Sequence, residues 1–187
     1  SLEAQRGAVT VESMVELVRS TVEQSTGKPH PLGDVVCNYL NLTSAVADVT
    51  EGKVWTTTDP APAALGRYVA FDLHAELDAF GRERAYPLEV LAAAPLDDDA
   101  MQCIEAYKEA HAAYSYRNDL TETYEHLSRA RDHLEAEPRV ALSQALVALR
   151  LARLTDADRH ARDYLDLVSD DDPRRYRAHL VRSWCAD

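Results

Sequence analysis

The last glycine of this 187-residue chain is Gly81, so the 106 residues that follow contain none. Glycine supplies the positive-φ positions of tight hairpins and the close backbone approach of phosphate loops. A stretch this long without it, rich in Ala, Leu, Arg, Asp and Glu, predicts helix following helix. Isoleucine occurs once, at Ile104, and β-branched residues concentrate before residue 60, so any strand belongs there. The predicted fold class is therefore all-α, with about eight helices. Residues 1–96 read as an acidic helical region and 97–187 as stacked antiparallel helix hairpins, together forming one continuous unit.

Periodicity places the elements. Met14, Val15, Val18 and Val22 form a helical stripe over 10–25, with Thr10 as N-cap. Asp34 caps a second predicted helix that carries Val35, Val36, Tyr39, Leu40 and Val46 inward and ends near Thr50, before Gly52. Lys53–Thr58 has strand-like composition, but a lone strand is unstable, so it reads as an extended linker. Leu65, Val69, Leu73, Leu77 and Phe80 share one face of a predicted helix over 62–84, and a short helix follows Pro87. Helices over 98–116, 119–136, 138–154, 156–169 and 173–185 complete the set. The helix over 138–154 is apolar nearly all round, which places it at the centre of a core. The last is predicted to turn Tyr176, Leu180, Val181 and Trp184 inward.

Pro138 and Pro173 lie 35 residues apart, and each follows an acidic turn and opens a helix. Between them sit two short helices joined at Leu154-Thr155. A helix pair of this period resembles a tetratricopeptide-like repeat over residues 100–187. Ala161 falls where that family has its small packing residue and Leu165 where it has a large apolar one. Leu149 and His126 stand where the family would have small residues. The resemblance implies a hairpin stack that presents a protein-binding surface; a generic helical bundle is the other reading.

Acidic residues number 32 and basic residues 20, a net charge of −12. Residues 1–137 hold 24 acidic and 11 basic side chains, and residues 138–187 hold 8 and 9. This surplus argues against nucleic acid, since phosphate binding needs excess Lys and Arg. No apolar run approaches the ~18–20 residues that cross a bilayer, and no signal peptide is visible. Cys37, Cys103 and Cys185 are odd in number, widely spaced and without a CxxC motif, which fits a reducing, cytoplasmic setting rather than a disulfide framework.

Phosphate-loop, dinucleotide-binding, zinc-protease and serine-hydrolase motifs are all missing. The best chemical cluster flanks a break at Arg117-Asn118. Glu105, Tyr107, His111 and Tyr114 precede it; Glu122, Glu125, His126 and His133 follow. Folded back as a hairpin, these helices would bring His111 towards His126, and Glu122 with His126 at i, i+4 can share a face. His111, Glu122 and His126 are thus the candidate metal ligands, against a plain polar helix face. Asn118-Asp119 reads as an N-cap. Asp72 and Glu76 are an i, i+4 acidic pair, read as solvated. Arg174, Arg175 and Arg177 form a basic patch for a partner or for the neighbouring Asp170–Asp172. The functional expectation is a non-catalytic protein–protein interaction module with no cofactor, a protein partner, and a homodimer as one arrangement. The alternative is a small helical metal protein or enzyme using the cluster around 105–126.

Overall fold

The computed structural model describes residues 9–23, 26–33, 35–80, 89–94 and 96–186. Among them the chain forms seven α-helices and a four-stranded antiparallel sheet, so the all-α expectation is corrected to a mixed, mostly helical fold. The chain divides into two compact units: Ser1–Thr21 with Val36–Pro95, and Val22–Val35 with Leu96–Asp187.

The first unit is built on the sheet. Helix α1 spans Val11–Val18, and its start is closed reciprocally by Thr10 and Ser13, each side chain accepting from the other's backbone N–H. Strands β1 (Ala45–Asp48), β2 (Lys53–Thr57), β3 (Tyr68–Asp72) and β4 (Val90–Leu91) pair in sequence order. The predicted helix up to Thr50 is overturned, since residues 45–48 are β1. Its Val, Thr and Asn content is poor for helix and good for a strand and turn. Asp48 accepts from the Thr50 and Glu51 N–H groups, and Gly52 adopts φ +67°, which closes the β1–β2 hairpin. Lys53–Thr57 is then not a lone strand, having partners on both sides.

The predicted helix over 62–84 is also overturned. Residues Ala63–Leu65 make one 3-10 turn, Tyr68–Asp72 is β3, and only Leu73–Asp78 is helical, as α2. Leu73, Leu77 and Phe80, expected inward, are exposed. What is buried instead is the alternating pair Tyr68 and Ala70, the period-2 pattern of a strand. The short helix after Pro87 gives way to β4 at Val90–Leu91; Asp34 and residues 81–88 lie outside the described residues.

One face of the sheet carries Val46, Trp55, Tyr68 and Ala70, all buried, with Val15 of α1 packed on them. Arg19, just past α1, ties loops to this core. Its guanidinium donates to the carbonyls of Ala64 (3.1 Å), Gly66 (2.9 Å) and Ala92 (2.6 Å) and lies 5.2 Å over the Tyr68 ring. A lysine offers a point charge and no planar fork. Arg19→Lys is expected to cost about 1–2 kcal/mol, measured by chemical denaturation; an unchanged midpoint would show that the fork is dispensable.

The second unit is helical, as the glycine-free stretch predicts. Helices α3 (Asp98–Ala112), α4 (Leu120–His133), α5 (Pro138–Arg150), α6 (Leu154–Leu167) and α7 (Arg175–Ala186) follow one another with short connections. The left-handed backbone positions that glycine usually takes fall to Asn118 (φ 51°) and Ala152 (φ 58°). Helix α5 is central, with Val140, Ala141, Leu142, Gln144, Ala145, Val147 and Ala148 buried. An alanine seam runs through this unit. Ala141, Ala145 and Ala148 of α5, Ala157 and Ala161 of α6, and Ala178 of α7 are each fully buried. Small side chains let the helix axes approach closely. For the same reason α7 packs by Ala178 and Val181, leaving Tyr176, Leu180 and Trp184 exposed where the sequence reading turned them inward. No helix among the described residues is long and apolar enough to cross a membrane.

Candidate functional site

Helices α3 and α4 form a hairpin through a π-helical turn at Ala113–Arg117. Asp119 caps α4 by accepting from the Glu122 N–H at 2.9 Å. Where these elements meet α5, they enclose a groove of about 200 Å³. Its floor is apolar, with Ala110, Leu127 and Val147 buried and Leu146 alongside. Its rim is aromatic and polar. The Tyr107 hydroxyl lies 3.3 Å from Ser143 Oγ, and His111 Nε2 lies 3.4 Å from Ser115 Oγ. Arg150 donates to the Tyr114 hydroxyl at 2.9 Å, with its guanidinium carbon 5.4 Å from that ring. Such a groove can bury an apolar side chain and hold a carboxylate beside Arg150.

A second, polar cleft of about 610 Å³ lies along α4, α5 and α6. Arg131 organises it, reaching Asp163 Oδ2 (2.7 Å), His160 Nδ1 (2.9 Å) and Gln144 Oε1 (3.3 Å). Arginine only donates, so His160 Nδ1 accepts and the neutral ring carries its proton on Nε2. That proton points at the Tyr124 hydroxyl oxygen, 2.9 Å away. Burial, then the charges of Arg159 and Arg131, push the His160 imidazole down to about 4, so it is neutral at physiological pH. The chain Asp163–Arg131–His160–Tyr124 is thus a fixed relay of donors and acceptors.

The hairpin brings part of the predicted metal cluster together. Glu122 Oε1 lies 3.5 Å from His126 Nε2. Arg117, however, grips the Glu122 carboxylate through two nitrogens at 2.9 and 3.1 Å and holds it below the usual carboxylate range, and Arg129 contacts the His126 ring. His111 instead lines the groove. Among the described residues no three His, Cys, Asp or Glu side chains are grouped to hold a metal ion.

In the C-terminal basic patch, Arg174 pairs with Asp172, and Arg175 pairs with Asp170 and donates to the Leu165 carbonyl at the end of α6. Arg177 contacts Tyr176 on the exposed surface. Asp72 caps α2, with Glu76 in that helix's first turn.

The sequence reading missed Ser143, Leu146 and Arg150, which complete the groove, and Arg131, His160 and Asp163, which build the relay. It also missed a buried pair, His30 and Glu137. Their signal was slight: His30 lies between two prolines, and Glu137 just before Pro138.

Comparison with known protein families, curated proteins and solved structures finds no match.

Proposed function

We propose that this chain is a non-catalytic protein-interaction module whose α3–α4–α5 groove seats an apolar side chain of a protein partner, with an acidic neighbour held by Arg150. The carrying observation is the groove itself, an apolar floor beside a guanidinium whose contacts among the described residues are both with Tyr114. Apolar pockets with a few placed polar groups are how side-chain anchors are recognised. The succession of hairpins, with Ala161 buried at the α5–α6 contact, supports a tetratricopeptide-like reading of residues 100–187. The net charge of −12 supports a protein rather than a nucleic-acid partner. We also infer a reducing, cytoplasmic setting. Its support is that burial pushes the Cys37 and Cys103 thiols up to about 11 and about 12, as expected of inert core thiols.

Selection of a displayed random-peptide library on the purified chain tests this. Enriched peptides are expected to carry a Leu, Met or aromatic residue next to Asp or Glu. Leu146→Arg should weaken their binding at least about tenfold, and the exposed substitution Arg150→Glu should shift preference towards Lys or Arg neighbours. Peptides that bind both variants as tightly as the parent chain, or a selection with no enrichment, would overturn the proposal.

A further inference from the structure

We propose that His30 and Glu137 share a single proton through one bridging water, and that this buried pair latches the segment Val22–Val35 onto the helices of its unit.

The segment is closed on itself first. Val22 pairs with Pro29, Glu23 N–H donates to the Lys28 carbonyl at 2.9 Å, and Gly33 N–H to the His30 carbonyl at 2.7 Å. The turn presents His30 and Leu32 inward, 2% and 0% exposed. Glu137, the N-cap of α5, meets it. One carboxylate oxygen accepts from Arg139 N–H at 3.2 Å, and the Leu32 N–H also donates to the carboxylate. The Oε2 atom faces His30 Nδ1 at 3.8 Å, with both side chains almost wholly buried. Among the described residues no protein group satisfies Glu137 Oε2 or either nitrogen of His30.

Two of these bare atoms, His30 Nδ1 and Glu137 Oε2, face one another and call for a partner, because a buried polar atom left unpaired loses its hydration without compensation. A separation of 3.8 Å is too long for a direct hydrogen bond and suits a bridge. The cavity lined by these two side chains holds about 20 Å³, room for one water molecule and little else.

Charge decides the proton count. With one proton between them, the pair is either a neutral acid beside a neutral imidazole or a carboxylate beside an imidazolium, and its net charge is zero. A second proton leaves an unopposed buried cation, and removal of the first leaves an unopposed buried anion; both are costly. The surroundings fit this balance. The segment contributes Glu23 and Lys28, α5 contributes Arg139, and α3 contributes the thiol of Cys103, held neutral by burial. The Tyr164 hydroxyl of α6 donates to Asp172, which Arg174 neutralises. Burial raises Glu137 to about 7 and lowers His30, both in the direction of a shared single proton.

The sign of each contribution gives a signature. Glu137 holds its proton more tightly when docked, so its contribution falls as pH rises from the ordinary carboxylic range to about 7. His30 holds its proton less tightly when docked, so its contribution is lost as pH falls below the ordinary imidazole range. Where the two windows overlap, below about pH 6.5, the two slopes oppose one another.

The test is hydrogen exchange of the Leu32 and Gly33 amides in the full chain, corrected for intrinsic rates, from pH 4 to 8. The parent chain should show a plateau just below about pH 6.5, where the opposed slopes offset one another. Glu137→Gln should convert the plateau into protection that rises with pH, and His30→Gln into protection that falls with pH. Should either variant fail to fold, carboxyl-carbon and imidazole-nitrogen NMR of the parent chain decides. Both side chains responding together at each titration step supports the shared proton, whereas each side chain titrating alone in its own step overturns it. Variant profiles parallel to the parent profile also overturn it.

Discussion

Trp55→Ala is expected to cost the first unit about 3–5 kcal/mol, the range for removing a large aromatic side chain from a packed core. Trp55 is the middle of a cross-strand row, paired with Val46 of β1 on one side and Ala70 of β3 on the other. It is 5% exposed, and Val15 of α1 packs on the same face. Truncation opens a cavity where the strands and α1 meet. Denaturation followed by circular dichroism gives the cost, and fluorescence gives an independent check. The chain has two tryptophans, and Trp184 is 57% exposed, so the variant should lose the blue-shifted component of its emission and keep the red one. A loss below about 1 kcal/mol would show that the row is not the core of the sheet.

Arg131→Met should be the second most damaging change, at about 2–4 kcal/mol. It leaves Gln144 and His160, 2% and 3% exposed, without the donor they share, and leaves Asp163 without its cation. The effect on pH dependence is more specific. The folded chain binds a proton at His160 only near pH 4, whereas the unfolded chain binds it in the ordinary imidazole range, so stability is lost as pH falls through that window. Without the Arg131 charge, His160 should titrate higher, still below the ordinary range because burial is the larger cause. The acid loss should therefore begin from a lower stability and span a narrower window. NMR titration of the His160 ring checks this directly; an unshifted midpoint would remove Arg131 from the account.

Legibility in the sequence followed the range of the interactions. Helices of the glycine-free half were readable because their signals are local: a cap at Asp119, proline at the first position of α5, an apolar stripe every third or fourth residue. The sheet was not, because a strand is stabilised by partners far along the chain. Lys53–Thr58 reads as an extended linker because its strand partners, 45–48 and 68–72, read as helix. In the second case Leu65, Val69, Leu73 and Leu77 matched a helical period by coincidence, and the shorter alternation at Tyr68 and Ala70 decided the fold. The candidate groove was half legible. Tyr107, His111 and Tyr114 fall on one helical face by spacing alone, whereas Ser143, Leu146 and Arg150 join them only through the rotation of α5. Nothing in spacing connects His30 with Glu137.

The path of the chain, from the sheet unit into the helical unit over Val22–Val35, back again, and across once more after Pro95, has a practical consequence for dissection. A cut near residue 96 does not separate the two units. A fragment starting there would lack Leu32 and His30 and would bare the hydrophobic and carboxylate surface they cover, and the other fragment would trail a segment stripped of its bed. Deletion mapping by simple truncation should therefore report loss of solubility on both sides of the cut, and binding regions mapped that way would be assigned to the wrong half. Adding residues 22–35 back in trans, as a synthetic peptide, is the rational route to an isolated helical unit.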